Sequence, residues 1–273
     1  MKTLESLDMR PGRGLGQNFL LDGNLLDFIA RASGLEAGDE VLEVGPGFGA
    51  LTEKFLARGG NVTAVEYDHR LADYLRKRFA DSTLKIVEAD ACRVDYGELF
   101  AGRSFKAIAN LPYAISTVFI ARILDGAVLP DTMFFMLQKE MGERLAATPG
   151  SKAYGALSVR CQLDYQVSIA RIVPPEVFYP APEVESALVK FVRHDRYDLS
   201  DGIGKSVSSV VKLAFSQRRK QMGKVLAHGP YDEKSVTAAF AQLGLPLEVR
   251  PDRVSVAQFY QLGKLLRKEA HDE

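Results

Sequence analysis

Apolar and polar positions alternate along the first two-thirds of the chain in two rhythms. Short apolar runs recur, each followed by a longer stretch with apolar residues three and four apart. The pattern predicts a helix over residues 22–33, stopped by Gly34, and a buried strand over 40–44. A glycine-rich turn and a helix over 50–58 follow, then a strand over 61–65 and a helix over 69–79. Residues 84–87, 105–109 and 132–137 read as three more strands with helices between them. Strand–helix alternation of this kind predicts a parallel sheet covered on both faces. Residues 166–173 and 186–192 flank a proline-rich segment over 174–182 and are expected to form an antiparallel pair closing the sheet.

The texture changes after Arg193. Residues 193–201 are polar and read as a linker, and beyond them only helical patterns occur, over 205–215, 232–243 and 255–268, with a basic turn after the first. Ser255 with Gln258 fits a capping box for the last helix. The expected organisation is an α/β domain over residues 1–195, mostly parallel with an antiparallel closing strand, and a small all-α domain over 196–273. Length agrees, since 273 residues suit one large and one small domain.

Charge divides along the same boundary. Lys+Arg and Asp+Glu each number 35, but residues 196–273 hold 13 basic and 9 acidic side chains, leaving 22 and 26 before them. A neutral total therefore hides a basic tail domain. Cys92 and Cys161 alone exclude a disulfide scaffold, and the four histidines show no metal-ligand spacing, so no metal is expected. No apolar run approaches a membrane span, and residues 1–13 carry acids without an apolar core, unlike a signal peptide. The expected location is the cytoplasm.

Two motifs carry candidate chemistry. Glu43-Val44-Gly45-Pro46-Gly47-Phe48-Gly49 lies between the first buried strand and a helix. Glycines there permit a tight turn and close backbone approach to a ligand, as at Gly45 and Gly47. Gly45 and Gly47 with Ala50 also satisfy a nicotinamide-dinucleotide pattern. Glu66, ending the next strand, can accept hydrogen bonds from ribose hydroxyls of either kind of cofactor. Glu43 tilts the reading toward S-adenosylmethionine, because an acid beside the loop can face the methionine amino group. Asp90, past the third strand, suits an adenine amino group or a turn cap equally.

The second motif is Asn110-Leu111-Pro112-Tyr113, at the end of the fourth strand. In a doubly wound sheet that strand lies beside the first, so the motif would border the glycine loop. The Asn110 side-chain oxygen and the Leu111 carbonyl can both accept from the amino group of a base. Pro112 stiffens the turn, and Tyr113 offers a stacking face. An aryl amine is a poor nucleophile because its lone pair is delocalised. Two acceptors favouring a pyramidal nitrogen restore that lone pair and aim it, so alignment and electrostatics carry the catalysis.

With these motifs the chain resembles the ribosomal RNA adenine dimethyltransferases, which modify two adjacent adenines near the 3′ end of small-subunit RNA. The resemblance runs nearly end to end. It includes Gly16-Gln17-Asn18-Phe19-Leu20, the glycine loop, Asn110–Tyr113 and Gln138-Lys139-Glu140. It continues through residues 149–155, Phe178-Tyr179-Pro180-Ala181-Pro182-Glu183-Val184-Glu185-Ser186 and Ala214-Phe215-Ser216-Gln217-Arg218-Arg219-Lys220. It implies a Rossmann-like methyltransferase domain that binds S-adenosylmethionine, and a small-subunit RNA substrate within an assembling particle. It also implies that Asn18 and Leu20 touch the methionine end of the cofactor, Gly45 and Gly47 its backbone cradle, Glu66 its ribose and Asp90 its adenine. Asn110 would touch both cofactor and target amine, with Tyr113 and Phe178 sandwiching the target base. By its residue type alone, Phe178 fits a packing anchor as well as a stacking platform. Ala109 stands where the family usually has Gly, and Gln221-Met222-Gly223-Lys224 departs from its usual continuation.

Arg218, Arg219, Lys220 and Lys224 are expected to contact RNA phosphates in the tail domain, and the protein is expected to act as a monomer with no membrane partner. Four rivals frame this reading. The related resistance methyltransferases act on large-subunit RNA. A DNA adenine methyltransferase needs a duplex-recognition region for which 78 residues leave little room. A non-catalytic assembly factor would not need Glu66, Asp90 and Asn110. A nicotinamide oxidoreductase lacks a candidate hydride-transfer site here.

Overall fold

A computed structural model describes residues 18–267. Along the chain these form β1 (Phe19–Leu20), α1 (Gly23–Ala32), β2 (Glu40–Val44), α2 (Ala50–Ala57), β3 (Asn61–Glu66), α3 (His69–Arg78) and β4 (Lys85–Glu88). Next come α4 (Tyr96–Leu99), β5 (Lys106–Asn110), α5 (Ser116–Leu124), β6 (Thr132–Gln138), α6 (Lys139–Leu145), α7 (Ala156–Asp164) and β7 (Tyr165–Val173). The remainder are β8 (Phe178–Tyr179), β9 (Ser186–Arg193), α8 (Ile203–Ser216), α9 (Met222–Ala227), α10 (Glu233–Gln242) and α11 (Val256–Leu265). The chain divides into two compact units. One takes in residues up to Gly142 with Ser168–Arg193, the other Glu143–Val167 with His194 onward.

The first unit is built on a sheet of order β4-β3-β2-β5-β6-β9-β7. β4, β3, β2, β5 and β6 run parallel, and β9 runs antiparallel to β6. The order reverses between β2 and β5, which is the switch point where open α/β sheets bind ligands. β2 and β3 are buried along nearly their whole length, as strands covered on both faces must be. Antiparallel closure falls as expected on the segment at 186–192, although β9 inserts between β6 and β7.

Helix ends follow their chemistry. Asp22 caps α1 by accepting from the Leu25 N–H at 2.7 Å, and Asp68 caps α3. α1 buries Leu25, Leu26, Ile29 and Ala30 in a core that includes Val41, Phe55, Ile108 and Leu188. Each large side chain of this kind contributes roughly 1.5–3 kcal/mol when taken from water. A small second sheet pairs Phe19 with Tyr179 and Leu20 with Phe178.

The second unit has its own core, centred on Val207, Val210, Phe240, Phe259 and Leu262. Tyr154, Val159 and Leu163 pack into it, and the buried Tyr154 hydroxyl donates to the Val254 carbonyl at 3.0 Å. That packing places 143–167 with the helical unit, whereas sequence pattern alone puts the division at 195. At Gly263 a Cβ would lie 2.3 Å from Val207 Cγ2, so α8 and α11 touch backbone to backbone. The Ser255 capping box forms as predicted, with α11 described to Leu265. The expected basic turn contains a short helix, α9, because Met222, Val225 and Leu226 form a buried helical stripe.

Candidate active site

The glycine loop leaves β2 at the switch point. Gly45 donates to the Val65 carbonyl at 3.0 Å, fixing the loop to β3. Gly45 and Gly47 adopt φ of +63 and +58, in the left-handed region that favours glycine. A Cβ on Gly45 would stand 3.3 Å from the Pro112 ring, and one on Gly47 would stand 3.1 Å from the Phe19 ring. Both glycines therefore serve the turn and the close approach together.

Two cavities lie beside the loop. The first, about 140 Å³, is lined by Asn18, Leu20, Glu43, Gly47, Asn110 and Tyr113 among others. The second, about 190 Å³, is lined by Tyr67, Asp68, Ala89, Asp90 and Ile115 among others. Gly45, Glu66 and Pro112 line both, so the cavities are adjacent there. Phe19 and Phe48 pack at 4.7 Å between ring centroids in the wall of the first.

The described lining of the two cavities contains four acids, Glu43, Glu66, Asp68 and Asp90, and no basic side chain. Glu43 is 2% exposed, and Thr52 Oγ1 donates to its Oε2 at 2.6 Å. Burial pushes its carboxyl up to about 8, the Thr52 hydrogen bond opposes that, and Glu66 adds to it. Burial also raises Glu66, against backbone N–H groups of Asp68, Tyr67 and Gly47 that favour its carboxylate. The Asp68 N–H donates to Glu66 Oε1 at 2.9 Å. Asp90 forms the turn cap that its position suggests. Its Oδ1 accepts from the Cys92 N–H at 2.9 Å, closing its own turn, and the residue also lines the second cavity. Arg70 pairs with Asp68 at 3.0 Å and Arg93 with Asp90 at 3.4 Å, so the lining offers hydrogen-bond acceptors whose charge is partly balanced.

The β5 motif borders the loop as the switch-point argument requires. The Asn110 amide nitrogen donates to the Asn18 carbonyl at 2.9 Å, which leaves its side-chain oxygen as an acceptor. The Leu111 side chain is buried, and Tyr113 is half-buried with its hydroxyl 2.5 Å from Ser186 Oγ. Phe178 sits apart from these. It is 4% exposed, packs in the core with Leu20, Leu26 and Val173, and lines neither cavity. Gly16 and Gln17 lie outside the described residues. Arg218, Arg219, Lys220 and Lys224 are all exposed on the second unit, Lys224 within α9. Arg218 Nη2 donates to the Lys152 carbonyl at 2.7 Å. Sequence reasoning missed Tyr67, an exposed aromatic of the second cavity, whose one signal is its place directly after Glu66. It also missed Thr52, whose hydroxyl reaches from the first turn of α2 to Glu43.

Among the described residues no cluster of His, Cys, Asp and Glu could hold a metal, and no helix is long and apolar enough to cross a membrane. The sheet order, the glycine loop at its switch point and the adjacent cavities define a Rossmann-like methyltransferase. Comparison with known proteins narrows the class. The profile of the ribosomal RNA adenine dimethylase family matches residues 12–268, and the chain belongs to that family. Ribosomal RNA small subunit methyltransferase A of Magnetococcus marinus is 42% identical over 95% of this chain and 93% of its own length. The protein of the same name from Halothermothrix orenii is 36% identical, over 100% of this chain and 93% of its own. Among solved structures, a dimethyladenosine transferase from Plasmodium falciparum shares the fold, with a TM-score of 0.78 over 89% of this chain and 95% of that one at 24% identity. The 23S rRNA methyltransferase ErmE superposes with a TM-score of 0.71 over 91% of this chain and 99% of that one at 25% identity.

Proposed function

We propose that the protein binds S-adenosylmethionine in the adjacent cavities and methylates the N6 amino groups of two adjacent adenines near the 3′ end of 16S ribosomal RNA. The substrate is a small ribosomal subunit still assembling in the cytoplasm, and the enzyme acts as a monomer. The observation that carries this reading is the oriented Asn110 amide in the wall of an acidic cavity.

The cavity residues fit the cofactor by charge and shape. Glu43 and Asn18 suit the methionine end, with Leu20 beside them. Glu66 suits the ribose hydroxyls and Asp90 the adenine amine. When bound, S-adenosylmethionine supplies an activated methyl group, so the protein needs no strong base. Asn110 Oδ1 and the Leu111 carbonyl accept the two N–H bonds of the target amine and aim its lone pair. Tyr113 gives the base a face to stack on. After the first transfer one N–H remains, which one of these acceptors still holds while the nitrogen reacts again. The proton lost from the methylated nitrogen passes to water. Phe178 takes the other face of the base only if the segment around β8 rearranges when RNA binds.

Residues 196–273 form the RNA-binding part of this reading. Arg218, Arg219, Lys220 and Lys224 bind phosphates, which positions the substrate without reading its sequence. The target adenine leaves its stack to reach Tyr113.

Calorimetry with S-adenosylmethionine and with NAD, followed by incubation of unmethylated small and large subunits with labelled S-adenosylmethionine, tests the reading. Binding of the first ligand alone, with label entering only small subunits, is expected. Label in large subunits moves the assignment to the resistance relatives. Cofactor binding without transfer to any particle makes an assembly factor the better reading.

A further inference from the structure

Two sequence motifs remain without a role in the cavities, Gln138-Lys139-Glu140 and the Glu183–Ser186 stretch. The fold brings them together. Gln138 at the end of β6 pairs with Ser186 at the start of β9. The Lys139 N–H donates to the Glu185 carbonyl at 2.9 Å, and Lys139 Nζ meets Glu185 Oε2 at 2.7 Å. The ladder and the clasp fix where Ser186 stands. Ser186 is fully buried, and its hydroxyl lies 2.5 Å from the hydroxyl of Tyr113.

Tyr113 is thereby held at both ends. At its root, Ser116 Oγ of α5 donates to the Tyr113 carbonyl at 3.1 Å, while the Ile115 N–H closes the turn onto the Pro112 carbonyl at 3.1 Å. At its tip, the phenol reaches β9. A Tyr ring anchored only at Cα turns about two side-chain torsions; a bond to its hydroxyl, which lies on the Cβ–Cζ axis, fixes that axis and so where the ring stands in the cavity wall, and packing sets the rotation about the axis. Tyr113 lines the cofactor cavity beside Asn110, so the plane of its ring sets the plane of anything stacked on it. A flat base held in that plane has its exocyclic amine aimed along one direction, which is what in-line transfer requires.

We propose that Ser186 is a positioning residue for methyl transfer, its hydroxyl fixing the Tyr113 ring on which the target adenine stacks. The Lys139–Glu185 clasp is the outer tether of the same arrangement. The inference rests on the function proposed above for Tyr113. It assigns the two otherwise idle motifs to orientation, with no contact of their own to cofactor or base.

The test is a double-mutant cycle with Ser186→Ala, Tyr113→Phe and the pair together. Single-turnover methylation of unmethylated small subunits is measured at saturating RNA and cofactor. Cofactor affinity by calorimetry and the thermal midpoint are measured beside it. Each single variant is expected to slow the methylation step by about five- to tenfold, the worth of one hydrogen bond. The double variant should be no slower than either, because both remove the same bond. Cofactor affinity and RNA concentration dependence should stay at wild-type values, and the thermal midpoint should fall by only about 2–4 °C, the cost of one buried hydrogen bond. A Ser186→Ala rate equal to wild type, losses that multiply in the double variant, or a rate loss matched by weaker cofactor binding would each overturn the proposal. Should Ser186→Ala not fold, Ser186→Thr decides: it keeps the hydroxyl and should keep the rate, while a rate as low as that of Tyr113→Phe counts against the proposal. Failure of the wild-type protein to methylate any particle would instead remove the functional reading beneath it.

Discussion

Glu43→Gln tests the electrostatics of the cavity. Gln keeps the shape of the side chain and still offers Thr52 an acceptor, so the change removes only the ionisable group. In the folded protein burial pushes the Glu43 carboxyl from 4.5 up to about 8. Between those values the native state holds a proton that the unfolded chain has released. Stability contributed by this group is therefore complete at low pH and declines as pH rises through the window. The decline is about 1.4 kcal/mol per pH unit, on the order of 5 kcal/mol across the window. The stability of Glu43→Gln minus that of wild type should grow by about that slope from pH 4.5 to 8 and then level off. Urea denaturation of both proteins at half-unit pH steps, without cofactor, measures the difference directly. A constant difference across the range would refute the reasoning, since Glu43 would then titrate alike in both states. The same burial makes a functional statement. Burial favours the protonated form of Glu43, and a cationic ligand beside it would favour the carboxylate. Cofactor binding should release protons near neutral pH and tighten as pH rises toward about 8, which calorimetry in buffers of different ionisation enthalpy detects.

Three further outcomes are expected. Gly47→Ala forces a Cβ into a left-handed turn and to 3.1 Å from Phe19, so it should weaken cofactor binding and cost about 1–2 kcal/mol of stability, read by calorimetry and denaturation. Gly263→Ala drives a methyl into the α8 backbone at Val207 and should destabilise the helical unit by about 1–3 kcal/mol while leaving cofactor affinity intact. Arg218→Ala with Arg219→Ala should weaken RNA binding and flatten its salt dependence, by roughly one unit of slope for each phosphate no longer bound, without changing cofactor affinity.

Much of the fold is legible in the sequence because buried parallel strands and capped helices each carry a local signal. β2 spans the predicted residues, and Asp22 and Ser255 cap helices as their types suggest. The glycine loop and Asn110–Tyr113 could be placed side by side from topology alone, because β2 and β5 must meet at the switch point. Long-range packing was less legible. The pairing of β1 with β8 involves two residues on each side, too few for any periodicity to show. The allegiance of 143–167 depends on Tyr154 burying itself among helices and bonding to a carbonyl 100 residues away in sequence. Phe178 shows the limit most clearly. A proline-rich loop could not reveal whether its aromatic faces a cavity or the core, and here it faces the core. The acidic character of the adjacent cavities lay in the sequence only as scattered residues, Glu43, Glu66, Asp68 and Asp90, which the fold gathers.

The central claim is that Asn110 and the acidic cavity together dimethylate adenine in small-subunit RNA. Its most direct test is to incubate unmethylated small subunits with the protein and S-adenosylmethionine, digest the RNA, and weigh and sequence the 3′ fragment by mass spectrometry. Asn110→Ala runs alongside as the control, with its fold and cofactor affinity measured beside it. The wild-type protein should place two methyl groups on each of two adjacent adenines, and Asn110→Ala none. Methylation at another base, or full methylation by Asn110→Ala, would contradict it.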